Sequence, residues 1–475
     1  MKDYSIVARA AFEHYGLPSL AVGVYDHGET AYYCFGTDDS TGAAPDERTR
    51  YMIGSASKCF ISTSVCQLAS QGRIDLDQPV ARYLPDLAFF TQEMTDRITV
   101  RQILSHQTGL PRHDVSWVNR TGGTLDETVF NVRFLEPAFG IGERFYYQNH
   151  MYAVASKLVE QVSGMRWQDY VRQNILEPLG MGRTWTETAL FGREGTGCVR
   201  PYAKVDGRNV PWAIWRSDNM GGAACMTSTL EDELRWQVCN LHGGVAEGVR
   251  IFDSWADSQL HSPQMPIREY EMYGYPMADV DVRESSYGLG WFVDDQGGQK
   301  VVHHGGTVGG FRSECGYLPE HDVAFAVFAN LDGTQAVNAV ERGIVDVACN
   351  LEPRPWCQVF DTVSEKARER SRAAMAPLLA AAGDDLRDSS CDGVYRNPAY
   401  GAVKVSTAAD GTTRIWFLGQ PLRIRHVGGD LLMIDALALA NIAAPCRFVR
   451  EGQRVVALAA KLEPEIKSFI MFARE

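Results

Sequence analysis

Strand-like segments stand at both ends of the first 330 residues, and helical sequence fills the space between them. Residues 17–35 (LPSLAVGVYDHGETAYYCF) read as a strand, a turn at Asp26-His27-Gly28 and a second strand. Strand character returns at residues 287–293, 300–304 and 323–330. A short amphipathic helix over residues 3–15 precedes the first strand, and residues 55–71 have helical character that ends near Gly72. Helical segments, broken by turns such as Glu177-Pro178-Leu179-Gly180, then dominate to about residue 240. This layout predicts an α+β domain: one antiparallel sheet built from both ends of the segment, with flanking helices and a helix-rich insert beside it.

A break follows. Residues 363–383 are charged, then Ala-rich, and read as a linker helix ending at Gly383. After Asp392-Gly393 come short strand-like runs at 402–406, 413–418, 431–434, 448–449 and 455–458. Turns separate them at Asp410-Gly411, Gly428-Gly429 and Glu451-Gly452, which predicts a small β-barrel or sandwich. A chain of 475 residues is too long for one ordinary domain. The expected division is a large domain over residues 1–362, a linker helix over 363–385 and a small β-barrel over 386–475.

The formal net charge of -13 argues against a nucleic-acid partner, whose phosphates would be repelled. The opening residues Met1-Lys2-Asp3-Tyr4-Ser5 lead into mixed sequence without an apolar h-region, so no secretory signal is expected. The longest apolar-looking run, residues 373–382, is too short to span a bilayer and contains Pro377, so no membrane association is expected either. Eleven cysteines stand singly from Cys34 to Cys446, without a Cys-x-x-Cys pair. They read as reduced thiols of a cytoplasmic protein, and Cys59 as a packing residue. No metal or cofactor is expected. No Gly-x-Ser-x-Gly or His-Glu-x-x-His occurs, so neither an α/β-hydrolase elbow nor a zinc-peptidase motif is present.

Three short motifs carry chemistry. Ser55-Ala56-Ser57-Lys58 places a hydroxyl and an ammonium on one helical face. A serine becomes a nucleophile when a neighbouring base takes its proton. A lysine can do so only when neutral, and lowering its pKa from about 10.4 to near 7 costs roughly 4–5 kcal/mol, which burial and a second cationic or polar neighbour must supply. With nine lysines and 26 serines, about half a Ser-x-x-Lys is expected by chance. This is the one in the chain, and a surface pair at a helix start is an equal alternative.

Tyr147-Gln148-Asn149 can set a phenol beside that lysine to share or relay a proton, with the Asn149 amide orienting lysine and substrate. Taken without context, Tyr146 and Tyr147 read first as core aromatics. Tyr395-Arg396-Asn397 repeats the pattern inside the small β domain. Lys300-Val301-Val302-His303-His304-Gly305-Gly306-Thr307 reads as a strand whose end places an imidazole at one wall of a site, with glycines that let substrate reach backbone N–H groups. His242-Gly243-Gly244 also has this form but follows a helix and reads as its C-cap.

In this order the three motifs resemble those of the penicillin-recognising serine enzymes, most closely the class C β-lactamase-like branch with its D-aminopeptidases, esterases and peptide acyltransferases. Further segments extend the resemblance over roughly residues 15–335: GRIDLDQPVARYL (72–84), ITVRQILSHQTGL (98–110), EPLGMGRT (177–184), 221–229 and YGLGW (287–291). The resemblance implies a β-lactamase/transpeptidase-like fold and a lipocalin-like barrel at the C-terminus. It implies Ser55 as nucleophile, Lys58 as its proton acceptor or relay, Tyr147 as acid/base partner and Asn149 as a substrate-binding residue. His304 takes the place where penicillin-active members usually carry lysine, with Gly306 and Thr307 beside substrate. The oxyanion would be held by the backbone N–H of Ser55 and of Thr307. His303-His304-Gly305 also fits the motif. The His304 register is preferred because Gly310-Phe311 then falls where relatives place a Gly-aromatic pair. Ser217-Asp218-Asn219 mimics a class A motif but lies too far downstream.

The expected activity is therefore that of a serine hydrolase or acyltransferase acting through a Ser55 acyl-enzyme on a small molecule or short peptide, D-configured peptides included. An amidase, D-aminopeptidase or esterase is favoured, since histidine in place of lysine weakens the fixed charge that would hold a β-lactam carboxylate. The alternatives are a macrocyclising peptide acyltransferase, a β-lactamase and a non-catalytic sensor of the same fold.

Overall fold

The computed structural model describes residues 1–475 apart from 38–41, 119–121, 194, 196, 269–270, 273, 418–419 and 438–441. Its larger part is organised on one antiparallel sheet of eight strands: β1 (Ser19–Asp26), β2 (Glu29–Gly36), β3 (Met265–Pro266), β4 (Val282–Tyr287), β5 (Phe292–Gln296), β6 (Gln299–Val308), β7 (Phe311–Leu318) and β8 (Val323–Ala329). Their spatial order is β2-β1-β8-β7-β6-β5-β4-β3, so the chain's return places β8 beside β1 at the register Val22↔Val327. The expected α+β class and terminal-strand sheet are what the chain adopts.

Alternation along the strands decides which layer each face meets. Leu20, Val22, Val24, Phe325 and Val327 pack on helices α1 (Ser5–Tyr15) and α5 (Ala336–Cys349). Ala21, Ala324, Ala326, Phe328, Cys315 and Tyr317 face the other way, into the helical insert. Its main helices are α2 (Ser57–Ser70), α3 (His150–Ser163) and α4 (Leu230–Leu241). All seven residues of β8 are buried, as expected for a strand covered on both faces.

The structure corrects two readings. Residues 287–293 are not one strand, because the chain turns between β4 and β5 around Gly290, whose φ is 88°. A Cβ there would stand 2.4 Å from Ser62 Oγ, so the turn is pressed onto α2, where the Cys59 thiol donates to the Gly290 carbonyl at 3.1 Å. The motif strand β6 runs on to Val308 and pairs with β7, a strand not anticipated. Helix α6 spans Trp356–Ala381, and Trp356, Phe360 and Val363 are buried against the sheet domain.

The C-terminal segment is a closed up-and-down barrel of β9 (Gly393–Asn397), β10 (Gly401–Thr407), β11 (Thr413–Phe417), β12 (Gln420–Gly428), β13 (Leu431–Leu437), β14 (Ile442–Glu451), β15 (Arg454–Ala460) and β16 (Ile470–Arg474). Tyr395↔Arg474 and Arg396↔Ala473 close it, which leaves no free sheet edge among the described residues. Of the expected run 413–418, Leu418 lies outside the described residues. Among the described residues no helix is long and apolar enough to cross a membrane.

Candidate active site

Ser55 lies in a 3-10 turn, Gly54–Ala56, that leads directly into α2. Two glycines bring this turn against the end of β6. Gly54 has φ 54°, and a Cβ on it would stand 2.9 Å from the Thr307 amide nitrogen; one on Gly306 would meet the Ile53 carbonyl oxygen at 1.9 Å. Side chains at either place would push the strand from the Ser55 turn. The turn is fixed from behind: Ser313 Oγ donates to the Ile53 carbonyl at 2.7 Å and Ser57 Oγ to the Gly54 carbonyl at 2.6 Å.

Lys58, one helical turn on, is fully buried. Its Nζ contacts Ser55 Oγ at 3.1 Å, Asn149 Oδ1 at 2.8 Å and the Ala223 carbonyl at 2.7 Å. Burial, seconded by the Arg112 charge, holds the amine well below the usual lysine range and outweighs the opposing pull of Asp114 and Cys59. A neutral amine has two N–H bonds. In that form Asn149 and Ala223 can take both, with the lone pair then directed at Ser55.

Tyr147 packs its ring against that amine, with Nζ 4.8 Å from the ring centroid. Burial raises its pKa, opposed first by the Ser55 hydroxyl and then by Arg112. The buried Tyr147 hydroxyl makes no hydrogen bond of normal geometry among the described residues. Behind it lie His106 at 4.4 Å between ring centroids and Tyr287 at 6.3 Å. His106 is held neutral by burial, and its Nδ1 accepts from the Gln148 amide at 3.1 Å.

The two adjacent histidines of β6 face opposite sides. His304 lies toward Tyr147, with ring centroids 6.2 Å apart. Its Nδ1 bonds the Gly305 carbonyl at 2.7 Å and must carry the proton, so Nε2 accepts from Tyr287 Oη at 2.9 Å. Burial and the nearby Lys58 push its pKa well below the ordinary value. His303 points to the α5 side, into a charged cluster: Glu314 at 2.8 Å, Asp294 at 3.1 Å and Glu341 at 3.9 Å. Those carboxylates raise its pKa well above 6.5 despite burial, so it is an imidazolium and not a neutral packing group.

Sequence reasoning missed residues 112–114, where a loop runs into a short helix, Asp114–Val118. Asp114 accepts from Arg112 Nε at 2.6 Å, from Trp117 Nε1 at 2.9 Å and from Asn149 Nδ2 at 3.1 Å. Asn149 is thus fixed at both ends of its amide, between Asp114 and Lys58. The only available signal was the polar triplet Arg112-His113-Asp114 after the GL of the 98–110 segment. The patterns set aside lie elsewhere: Tyr395 donates to the Cys391 carbonyl inside the barrel, and Asp218 accepts from Thr188.

A cavity of about 680 Å³ opens over this constellation. Ser55, Tyr147, Asn149, Thr307 and the stacked Trp117 and Trp215 line it, together with Phe417, Leu462, Glu463 and Pro464 of the barrel. The register of β6 with β5 ends at Phe292↔His303, so residues 304–308 pair with β7 alone and leave one backbone edge toward the cavity.

Comparison with known proteins gives the beta-lactamase family as a match over residues 7–348. The unguisins hydrolase ungD' of Aspergillus campestris is 24% identical over 424 residues, covering 84% of this chain and 76% of that protein. The octameric penicillin-binding protein homologue from Pyrococcus abyssi superposes with a TM-score of 0.64 at 19% identity, over 98% of this chain and 99% of that one. The D-amino acid amidase from Ochrobactrum anthropi SV3 has a TM-score of 0.61 at 21% identity, over 72% of this chain and 98% of its own.

Proposed function

We propose, from the premise that this chain belongs to the beta-lactamase family, a family of serine hydrolases, that it cleaves a small amide, short peptide or ester through an acyl-enzyme on Ser55. The observation that carries this reading is the fully buried Lys58 amine, 3.1 Å from Ser55 Oγ and held by Asn149 Oδ1 at 2.8 Å and the Ala223 carbonyl at 2.7 Å. Ser55 gives its proton to that amine as Oγ bonds the substrate carbonyl carbon. The backbone N–H groups of Ser55 and Thr307 then stabilise the oxyanion. Collapse breaks the bond to the leaving group, which takes a proton from the Lys58–Tyr147 pair. Water, deprotonated by the same pair, releases the acid and restores Ser55.

An amide or peptide bond is favoured over a β-lactam. The D-amino acid amidase and the unguisins hydrolase among its relatives support this, as does the neutral His304, which offers no cation to a carboxylate. The free edge of β6 gives an extended acyl chain backbone partners. Eleven cysteines spread singly along the sequence, without a Cys-x-x-Cys pair, support a cytoplasmic setting.

The test is labelling by a fluorophosphonate, mapped by peptide mass spectrometry, beside a panel of p-nitrophenyl esters, D- and L-aminoacyl anilides and nitrocefin. Label on Ser55, lost in a folded Ser55→Ala variant, with turnover of amides or esters exceeding that of nitrocefin, is the expected result. A wild-type protein that takes no label would be a non-catalytic member of its family.

A further inference from the structure

Two cations lie against the Tyr147 ring. Lys58 Nζ stands 4.8 Å from its centroid and the Arg112 guanidinium carbon 5.3 Å. Arg112 spends its Nε on Asp114 at 2.6 Å, and its outer nitrogens make no hydrogen bond among the described residues. Its side chain is 42% exposed and borders the cavity with Ser55 and Tyr147. We propose that Arg112 is a positioning residue for the acid/base pair, its charge keeping Lys58 deprotonated and Tyr147 a ready proton donor. The proposal rests on the acyl-enzyme reading above.

The other groups facing Tyr147 do not supply this field. From α2 come Lys58 itself and the Cys59 thiol, whose pKa burial pushes well up. His106, before the Arg112 loop, and His304, on β6, are both buried and neutral. Tyr152 on α3 and Tyr287 on β4 are buried phenols with pKa values pushed well up. Asp114 shares its charge among Arg112, Trp117 and Asn149, and Glu463 of the barrel, which borders the same cavity, accepts from the His113 backbone N–H and has its pKa raised by burial. The guanidinium opposes protonation of Lys58 and favours loss of the Tyr147 proton, so it depresses both. A buried amine alone gains a base, but burial also makes a phenol a poorer acid. A half-exposed guanidinium over the ring corrects the second effect while reinforcing the first, and it carries its charge at every working pH.

The test is the pH profile of kcat/KM on a neutral p-nitrophenyl ester for the full-length protein and its Arg112→Gln and Arg112→Lys variants. Removing the charge should move both limbs of the bell to higher pH, because both groups then hold their protons longer. On the acid limb, where Lys58 must be deprotonated, Arg112→Gln should lose about tenfold in kcat/KM and regain it as pH rises, and Arg112→Lys should restore most of the profile. Limbs that stay in place while KM alone rises would make Arg112 a substrate contact. Unmoved limbs with a lower melting temperature would make it structural, and either outcome overturns the proposal. Fluorophosphonate labelling of the wild-type Ser55 separates this from a failure of the acyl-enzyme reading, since that label does not depend on where the limbs fall.

Discussion

His304 and Tyr287 are joined by a 2.9 Å hydrogen bond in which the phenol must donate, because the other ring nitrogen of His304 is committed to the Gly305 carbonyl at 2.7 Å. The imidazole on the Ser55 side of the sheet is therefore locked in one tautomer and one orientation. His304→Ala should leave the protein folded and lower kcat/KM by about 10²-fold. Tyr287→Phe, which keeps the ring but frees Nε2, should cost less. Circular dichroism and ester kinetics on the two variants check this; a folded His304→Ala protein with normal kinetics would remove His304 from the site.

His303 should behave in the opposite sense. It serves Asp294, Glu314 and Glu341 together, and removing a buried partner leaves carboxylates uncompensated at a cost of about 3–5 kcal/mol. His303→Ala should accordingly lower the melting temperature more than His304→Ala does. Because its pKa is raised in the folded chain, its stabilisation is complete below about pH 6.5 and is lost as pH rises through the higher native value. Thermal melts of wild type and His303→Gln across that range should converge as pH rises. Parallel curves would show that His303 is not charged in the native cluster.

Lys58→Ala and Tyr147→Phe should each reduce kcat by orders of magnitude, and the double variant should be little worse than the more damaged single one. In the proposed mechanism both groups belong to one proton path from Ser55, so their losses should not be additive. Single-turnover kinetics on the three variants decide it. Losses that multiply would mean that the two residues act independently.

How far the sequence reveals this site follows from what each residue's neighbours are. Ser55 and Lys58 are legible because three residues of helix bring them together locally. The β1–β2 hairpin and β8 are legible because alternation or an unbroken apolar run marks them. Strand β7 was hidden: its first residue, Phe311, reads with the preceding Gly310 as motif, and its Arg312-Ser313-Glu314 are polar because they face the His303 cluster and the Ile53 carbonyl. Strand β12 was hidden likewise, by Pro421 and the charged Arg423 and Arg425. Arg112 lies in a loop and Asp114 opens a helix of only five residues, Asp114–Val118, too short for periodicity, and their importance comes from Tyr147 and Asn149, some 35 residues on. No local pattern announces a contact of that kind.

The barrel's part in the site can be tested at His113, between those two residues. Its Nε2 donates to the Glu136 carbonyl at 2.9 Å, which leaves Nδ1 to accept from Tyr400 of the barrel at 2.6 Å. Its backbone N–H donates to Glu463 at 2.7 Å, so the barrel holds the loop that presents Arg112 and Asp114 to the cavity. Tyr400→Phe should therefore impair turnover although no atom of Tyr400 reaches Ser55. Burial holds the imidazole neutral, with its pKa lowered to about 4. The unfolded chain takes up that proton near pH 6.5, so between these two values it binds a proton the native chain refuses, and stability falls as pH drops. His113→Asn, which cannot titrate, should lack that component, on the order of 3 kcal/mol over the interval. Melting curves of both proteins from pH 7 to pH 4 measure the difference. Equal slopes would mean that His113 meets the barrel as a solvated, ionisable group, and that the barrel does not hold the Arg112–Asp114 loop in the way described.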